Sequence, residues 1–207
     1  MPKQISKLSG VILMVTNKKK GREPLSELGR LFAKFRAASA SGKPSECLET
    51  MSGTTRQVEG LRSESLFSDL PLTIDEPVSF GGTGKAPNPA EVLLAALGAS
   101  MEVTIRCYAD FMGISVESIS VQLSAKMNTQ GFFGTNADVR SGFRSISANV
   151  KIVSSEQSDV VLELFEIVSR FCPVLDNVRD PTEVSLSLDI VKSGEVDQQS
   201  HAEGDIG

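Results

Sequence analysis

The sequence predicts an α+β domain, and three observations carry that reading. A long apolar stretch from Pro89 to Met112 reads as one central, buried helix. Clean alternation over residues 143–153 reads as a half-buried strand. An amphipathic stretch over about 156–171 reads as a second helix. The order is antiparallel strands, one long helix, more strands, a second helix and a last strand. A length of 207 residues suits one such domain with extensions.

Residues 1–54 read as a basic extension and linker. Leu25, Leu28, Leu31, Phe32 and Phe35 recur at helical spacing with Arg30, Lys34 and Arg36 between them, which predicts a short basic amphipathic helix over 22–38. Its plain role is docking on the body. An organellar presequence, or a surface for anionic lipid or an acidic partner, is the alternative. Residues 37–46 are small and polar, a linker pattern, and Met51 opens a stretch that would itself make a complete domain.

The body, residues 55–192, begins near Thr55. Residues 56–75 predict two strands joined around Asp69, leading into Ile74-Asp75-Glu76-Pro77. A glycine loop, Gly81–Pro87, follows. Asn88 is placed to cap the long helix, Pro89 fits its first turn, and Glu91 sits where a carboxylate is favoured. Ala96, Ala99 and Ser100 leave one helix face nearly bare of bulk, open to another backbone or a ligand. Gly113 is a natural C-terminal stop. Ile114–Asn128 alternates through Val116, Ile119, Val121, Leu123 and Ala125 and reads as a strand, and Gly131–Gly134 as a turn or loop. In the strand over 143–153, Ile146, Ala148, Val150 and Ile152 face one way, and Ser145, Ser147, Asn149 and Lys151 the other. Ser154 or Ser155 is placed to cap the second helix, whose stripe is Val160, Val161, Leu164, Phe165 and Val168. Cys172-Pro173 breaks it, a short helix runs to about Arg179, and Thr182–Val191 predicts a closing strand with Val184, Leu186, Leu188 and Ile190 on one face. Residues 193–207 read as a disordered polar tail.

Composition excludes several chemistries. The net charge of −5 is unevenly spread: residues 1–43 carry +8 and residues 44–207 carry −13. An acidic body argues against a nucleic-acid-binding face. The single histidine, His201, lies in the polar tail, which removes Ser-His-Asp triads, Cys-His dyads and histidine-rich metal sites. Cys47, Cys107 and Cys172 show no spacing of a disulfide framework or a zinc site, which suits a reducing compartment. No apolar run reaches the ~20 residues of a membrane span. Val11–Val15 is too short for a secretory signal core, so the expected location is the cytoplasm. No metal or cofactor is expected.

Several separated pieces then carry a resemblance: Asp75-Glu76-Pro77, Gly81-Gly82, Pro87-Asn88-Pro89, Leu93–Ala99, Tyr108-Ala109, Gly113-Ile114, Gly142-Phe143, Cys172-Pro173-Val174 and Pro181-Thr182. In their order and spacing, over about residues 56–191, the chain resembles the OsmC/Ohr family of thiol-dependent organic hydroperoxide reductases, peroxiredoxin-like enzymes of the oxidative-stress response. The resemblance implies an OsmC-like fold, with antiparallel sheets around a long central helix. It also implies an intertwined homodimer with two equivalent sites at the subunit interface.

In that family a cysteine after an AALGA-like run attacks the peroxide, and a second cysteine in a Cys-Pro pair resolves the product. Cys172-Pro173 matches the second, but the first position is Ser100. A hydroxyl ionises far above neutral pH and forms no sulfenate, so the resemblance implies peroxidase activity that is impaired or lost. Ser100 otherwise reads as a small helix residue packed against the partner helix. Cys172, if it caps the helix after Pro173, would be a lone redox thiol; otherwise it is an inherited half-buried cysteine. Arg62 is the candidate for the arginine that steadies the thiolate, or a surface strand residue. The carboxylate expected to orient that arginine falls at Ala90, with Glu91 one residue along, serving there or as a helix cap. Cys107 reads as core packing, about 10 Å beyond Ser100 along the helix axis. Cys47 and Arg106 receive no role. The alternative function is a non-catalytic dimer that holds a small hydroperoxide, or an apolar or oxidised small molecule, in its interfacial pocket.

Overall fold

The structure is a computed structural model that describes residues 22–180 and 182–192. Its α-helices are α1 (Glu27–Ser41), α2 (Pro89–Met112), α3 (Thr129–Phe132), α4 (Ser158–Phe171) and α5 (Pro173–Arg179). Its strands are β1 (Gly53–Glu59), β2 (Arg62–Phe67), β3 (Leu70–Ile74), β4 (Ser118–Met127) and β5 (Phe143–Val153). One antiparallel sheet has the order β1-β2-β3, and β4 and β5 form a second antiparallel pair.

Residues 53–74 form three strands rather than the two predicted. The additional reversal is at Gly60, where φ is +52°. The second reversal is the predicted one: Phe67 pairs with Leu70, and Ser68 and Asp69 both take positive φ, the geometry of a two-residue hairpin loop. Leu66, Phe67, Leu70 and Leu72 of this sheet remain exposed.

The loop into α2 is held by Asp75, whose side chain is fully enclosed. Its carboxylate accepts from the backbone N–H groups of Glu76, Thr83 and Lys85 and from the Thr83 hydroxyl. The Asp75 N–H donates to the Pro87 carbonyl at 3.2 Å. Gly82 passes so close to the Glu76 carbonyl that a Cβ there would collide with it. The loop thus delivers Asn88 to cap α2. Asn88 accepts from the Glu91 N–H, and Glu91 reaches back to the Asn88 N–H, both at 2.9 Å. Gly113 closes the helix in the left-handed region, φ +69°, as its position predicts.

Against the expectation that no apolar run reaches the length of a membrane span, helix α2 is long and apolar enough to cross one by length and composition, yet it contributes its buried stripe to the core of this domain. Leu97, Met101, Ile105, Tyr108 and Ala109 form its buried stripe. Val160, Leu164, Ile167 and Val168 of α4 complete the core, with Ile119, Val121 and Leu123 of β4 and Ile146, Val150 and Ile152 of β5 packed against it. Each fully buried Leu, Ile or Val contributes about 1.5–3 kcal/mol. Tight approach adds specificity: a Cβ on Gly98 would lie 2.7 Å from the Leu123 side chain.

The N-terminal helix docks on the body, the first of the roles open to it. It runs to Ser41, three residues past the predicted end and into the expected linker, because its Ala-rich end continues the helix. Ser26 caps it and also bonds the Asp110 carboxylate. The Leu25 N–H donates to the Asp110 carbonyl at 3.0 Å. Phe32 meets Tyr108 and Phe111 edge-on, at 5.0 and 5.9 Å between ring centres, and Arg36 lies 5.5 Å from the centre of the Phe111 ring. Ahead of the helix, Arg22 grips Glu156 with two bonds of 2.8 and 3.0 Å and donates to the Gly113 carbonyl.

Three local expectations are corrected. Helix α4 starts at Ser158 with Gln157 at its cap position and no side-chain cap; Ser154 instead donates to the Ser115 carbonyl. A short helix over Thr129–Phe132, capped by Asn128, takes in the first half of the turn expected over 131–134, whose second half is a turn. Ala148 lies on the predicted face with Ile146, Val150 and Ile152, opposite Leu123, and lines a cavity there. Residues 182–192 form no strand: Val184, Leu186, Leu188 and Ile190 alternate as predicted but are exposed, with no strand among the described residues beside them to supply hydrogen bonds. The expected polar tail and His201 fall outside the described residues.

The Asp75 staple makes stability depend on pH. Hydrogen bonding to the Thr83 hydroxyl, with the backbone donors of Lys85, Glu76 and Thr83, lowers the Asp75 pKa from its ordinary 3.8 against the opposing effect of burial. The folded value lies below the unfolded one, so this stabilisation is complete above about pH 4 and disappears as pH falls past the lowered folded value. Asp75→Asn should therefore lower the urea midpoint at neutral pH, with the gap to the native protein closing in acid; a constant gap would contradict it. The docking of α1 is testable at Gly29, where Gly29→Ala places a Cβ 2.7 Å from the Asp110 carbonyl oxygen. The clash costs about 1–3 kcal/mol against at most ~1 kcal/mol of improved helix propensity, so the variant should be less stable and the α1 amides should exchange faster.

Candidate functional site

Of the four predicted site residues, the structure brings two together. Ser100 sits midway along α2, on the turn after the buried Leu97. Cys172 ends α4, where its N–H still donates to the Val168 carbonyl. Packing of α4 and α5 on α2 sets the Ser100 hydroxyl 3.2 Å from the Cys172 sulfur, a hydrogen bond in which either atom can donate. Cys172 is 1% exposed. The Ser100 carbonyl accepts from the Thr104 hydroxyl at 2.7 Å, so the backbone beneath the pair is also engaged.

Cys172 occupies the cap position of α5, but its side chain makes no capping bond. Of the two readings open for Cys172, the capping one finds no bond here: the sulfur turns to Ser100, and α5 has only seven residues. Beside the pair, Phe171 stacks on Tyr108 at 5.8 Å, and burial raises the Tyr108 pKa above its ordinary 10.0. Cys107 is half-buried, and burial, followed by the Asp110 charge, pushes its thiol pKa upward. That setting disfavours a thiolate and fits a packing residue.

Arg62 and Glu91 lie elsewhere within this chain. Arg62 opens β2 and pairs with Glu59 at 3.4 Å, and its enclosed Nε meets no hydrogen-bond acceptor among the described residues. Glu91 is engaged in the reciprocal cap with Asn88. Among the described residues, no hydrogen bond or ion pair links either side chain to Ser100 or Cys172. Arg106 donates to the Val116 carbonyl at 2.8 Å and faces Asp110 at 3.8 Å, tying α2 to the approach to β4.

A cavity of about 850 Å³ opens between the start of α2, the start of β5 and helices α4 and α5; it is lined by neighbours of the pair in sequence, Leu97, Met101 and Val174, and not by Ser100 or Cys172 themselves. Leu93, Leu97, Met101, Ile146, Phe165 and Val174 give it an apolar lining. Arg140, Arg144 and Arg179 also line it, with no aspartate or glutamate. Sequence reasoning does not single out these arginines. They come from the β4–β5 connection, β5 and α5, and no local spacing announces that such segments meet.

The fold has counterparts among known proteins. A family model described as OsmC-like protein matches residues 82–187. Among curated proteins, none matches the chain. Among solved structures, an OsmC-like protein from Mycoplasma pneumoniae is 20% identical, covers 63% of this chain and 88% of its own, and superposes with a TM-score of 0.56. An OsmC-like protein of unknown function from Vibrio cholerae O1 is 11% identical over 63% of this chain and 94% of its own, with a TM-score of 0.53. An organic hydroperoxide resistance protein from Elizabethkingia anophelis is 15% identical over 66% of this chain and 92% of its own, with a TM-score of 0.51. At these identities the structures speak for the fold, and the matched segment runs from the Gly81–Pro87 loop through α2, the β4–β5 pair and the Cys172-Pro173 break. The chain belongs to the OsmC family.

Proposed function

We propose that this chain is an OsmC-family relative of the organic hydroperoxide reductases whose peroxidase activity is impaired or lost. The observation that carries this reading is the Ser100–Cys172 contact at 3.2 Å. A thiol peroxidase needs a thiolate to attack one peroxide oxygen. The O–O bond breaks, the alkoxide leaves and takes a proton, and the sulfur becomes a sulfenic acid. A second thiolate then attacks that sulfur, expelling water and leaving a disulfide for an external dithiol to reduce. Ser100 and Cys172 have the proximity such a pair requires, with oxygen in place of the attacking sulfur. The hydroxyl has no histidine to activate it among the described residues and cannot become a sulfenate. Cys172 is enclosed, and among the described residues no cation bonds to it.

The reading includes a homodimer. Ala96, Ala99 and Val103 form an exposed apolar face on α2. The β1–β3 sheet exposes four large apolar side chains, and the alternating residues of 182–192 have no described strand beside them. Three uncovered apolar surfaces on one domain support a second copy. A homodimer would also give Arg62 and Glu91 a route to the Cys172 of the other copy, in keeping with interface-borne sites.

The cavity favours a second reading, a non-catalytic binding protein for an apolar or oxidised small molecule. Its volume and lining suit such a ligand.

The two readings are tested separately. With an organic hydroperoxide and a dithiol reductant, the native protein should turn over little, and Ser100→Cys should gain at least ~tenfold. Robust native turnover that disappears in Cys172→Ala would contradict the reading. For the cavity, an anionic naphthalene dye should brighten on binding the native protein, and Leu93→Lys should abolish the signal without lowering the melting temperature. An unchanged signal would place the dye elsewhere.

A further inference from the structure

Helix α1 has two faces, and docking uses one. Gly29, Phe32 and Arg36 meet the C-terminal turns of α2. Flanking that face, Leu28, Leu31 and Phe35 form a ridge that is 40, 47 and 64% exposed, and Leu25, just before the helix, is 53% exposed. Arg30 and Lys34, one turn apart, are exposed alongside it. The one acid within the helix, Glu27, is in its first turn, where the helix dipole favours it.

We propose that this outer ridge lays the protein on an anionic lipid surface. The helix is already formed and held by its inner face, so contact needs no undocking and little ordering. Leucine and phenylalanine would enter the headgroup boundary while the Arg30 and Lys34 stems bring their charges to lipid phosphates. The chain supplies the second attraction that stable surface binding requires: residues 1–43 carry +8, including Lys18-Lys19-Lys20 just upstream, against −13 for the remainder.

A second copy of this chain would bring Arg30 and Lys34 against like charges if the ridge entered the cavity, which Arg140, Arg144 and Arg179 line with no acid. An anionic lipid surface offers them the opposite charge.

The test is co-sedimentation of the full chain with vesicles of phosphatidylcholine, with and without phosphatidylserine. Binding should require phosphatidylserine and weaken with salt. Leu31→Ser/Phe35→Ser and Arg30→Gln/Lys34→Gln should each lower partitioning at least ~tenfold with unchanged circular dichroism. No binding to either vesicle, equal binding to both, or binding unaffected by either double variant would overturn the proposal. So would a change in sedimentation coefficient in Leu31→Ser/Phe35→Ser with no loss of vesicle binding, which would give the ridge to a protein contact.

Discussion

The burial of α2 is the constraint on which the rest of this structure depends. A helix of 24 residues with so few charges must be covered. Its stripe from Leu97 to Ala109 is covered by β4, β5 and α4. Its start is fixed by the Asp75-stapled loop and the Asn88–Glu91 cap, and its end by Gly113 and the docked α1. Because α2 is held at both ends, Ser100 has a defined position. Because α4 must lay Leu164, Ile167 and Val168 on α2, the residue that ends α4, Cys172, comes to rest beside it.

The same constraint separates fold from chemistry. Packing sets a small side chain at position 100 against the enclosed Cys172, and serine and cysteine differ there by one atom. Peroxide reduction needs sulfur. A substitution of one atom can therefore leave the core intact while removing the electron pair that attacks the O–O bond. The proposed function rests on this asymmetry.

The elements legible in the sequence are those fixed by local rules. Asn88, Pro89, Glu91 and Gly113 mark both ends of α2, and alternation locates β5. Asp75 belongs to one piece of the family pattern, but its role as a loop staple depends on Thr83 and Lys85 folding back over it. The third strand at 53–74 is hidden because Gly60-Leu61 carries a weak turn signal. The closing strand rests on a sound alternation, yet a strand also needs a neighbour, and none is present among the described residues beside 182–192. Ser100 and Cys172 are paired by the family resemblance, and packing brings them into contact. Arg62 and Glu91 are assigned the same way, but within this chain β2 and the α2 cap hold them elsewhere.

The most direct test of the account is the oxidation state of Cys172 after a single exposure of the native protein to organic hydroperoxide, without reductant. Sulfenic acid is trapped with a cyclic diketone and located by peptide mass spectrometry. The account predicts that Cys172 remains an unmodified thiol under conditions that oxidise the Ser100→Cys protein to a disulfide between the introduced thiol and Cys172. Rapid, stoichiometric sulfenate at Cys172 of the native protein would contradict it, because the enclosed thiol would then be the nucleophile itself.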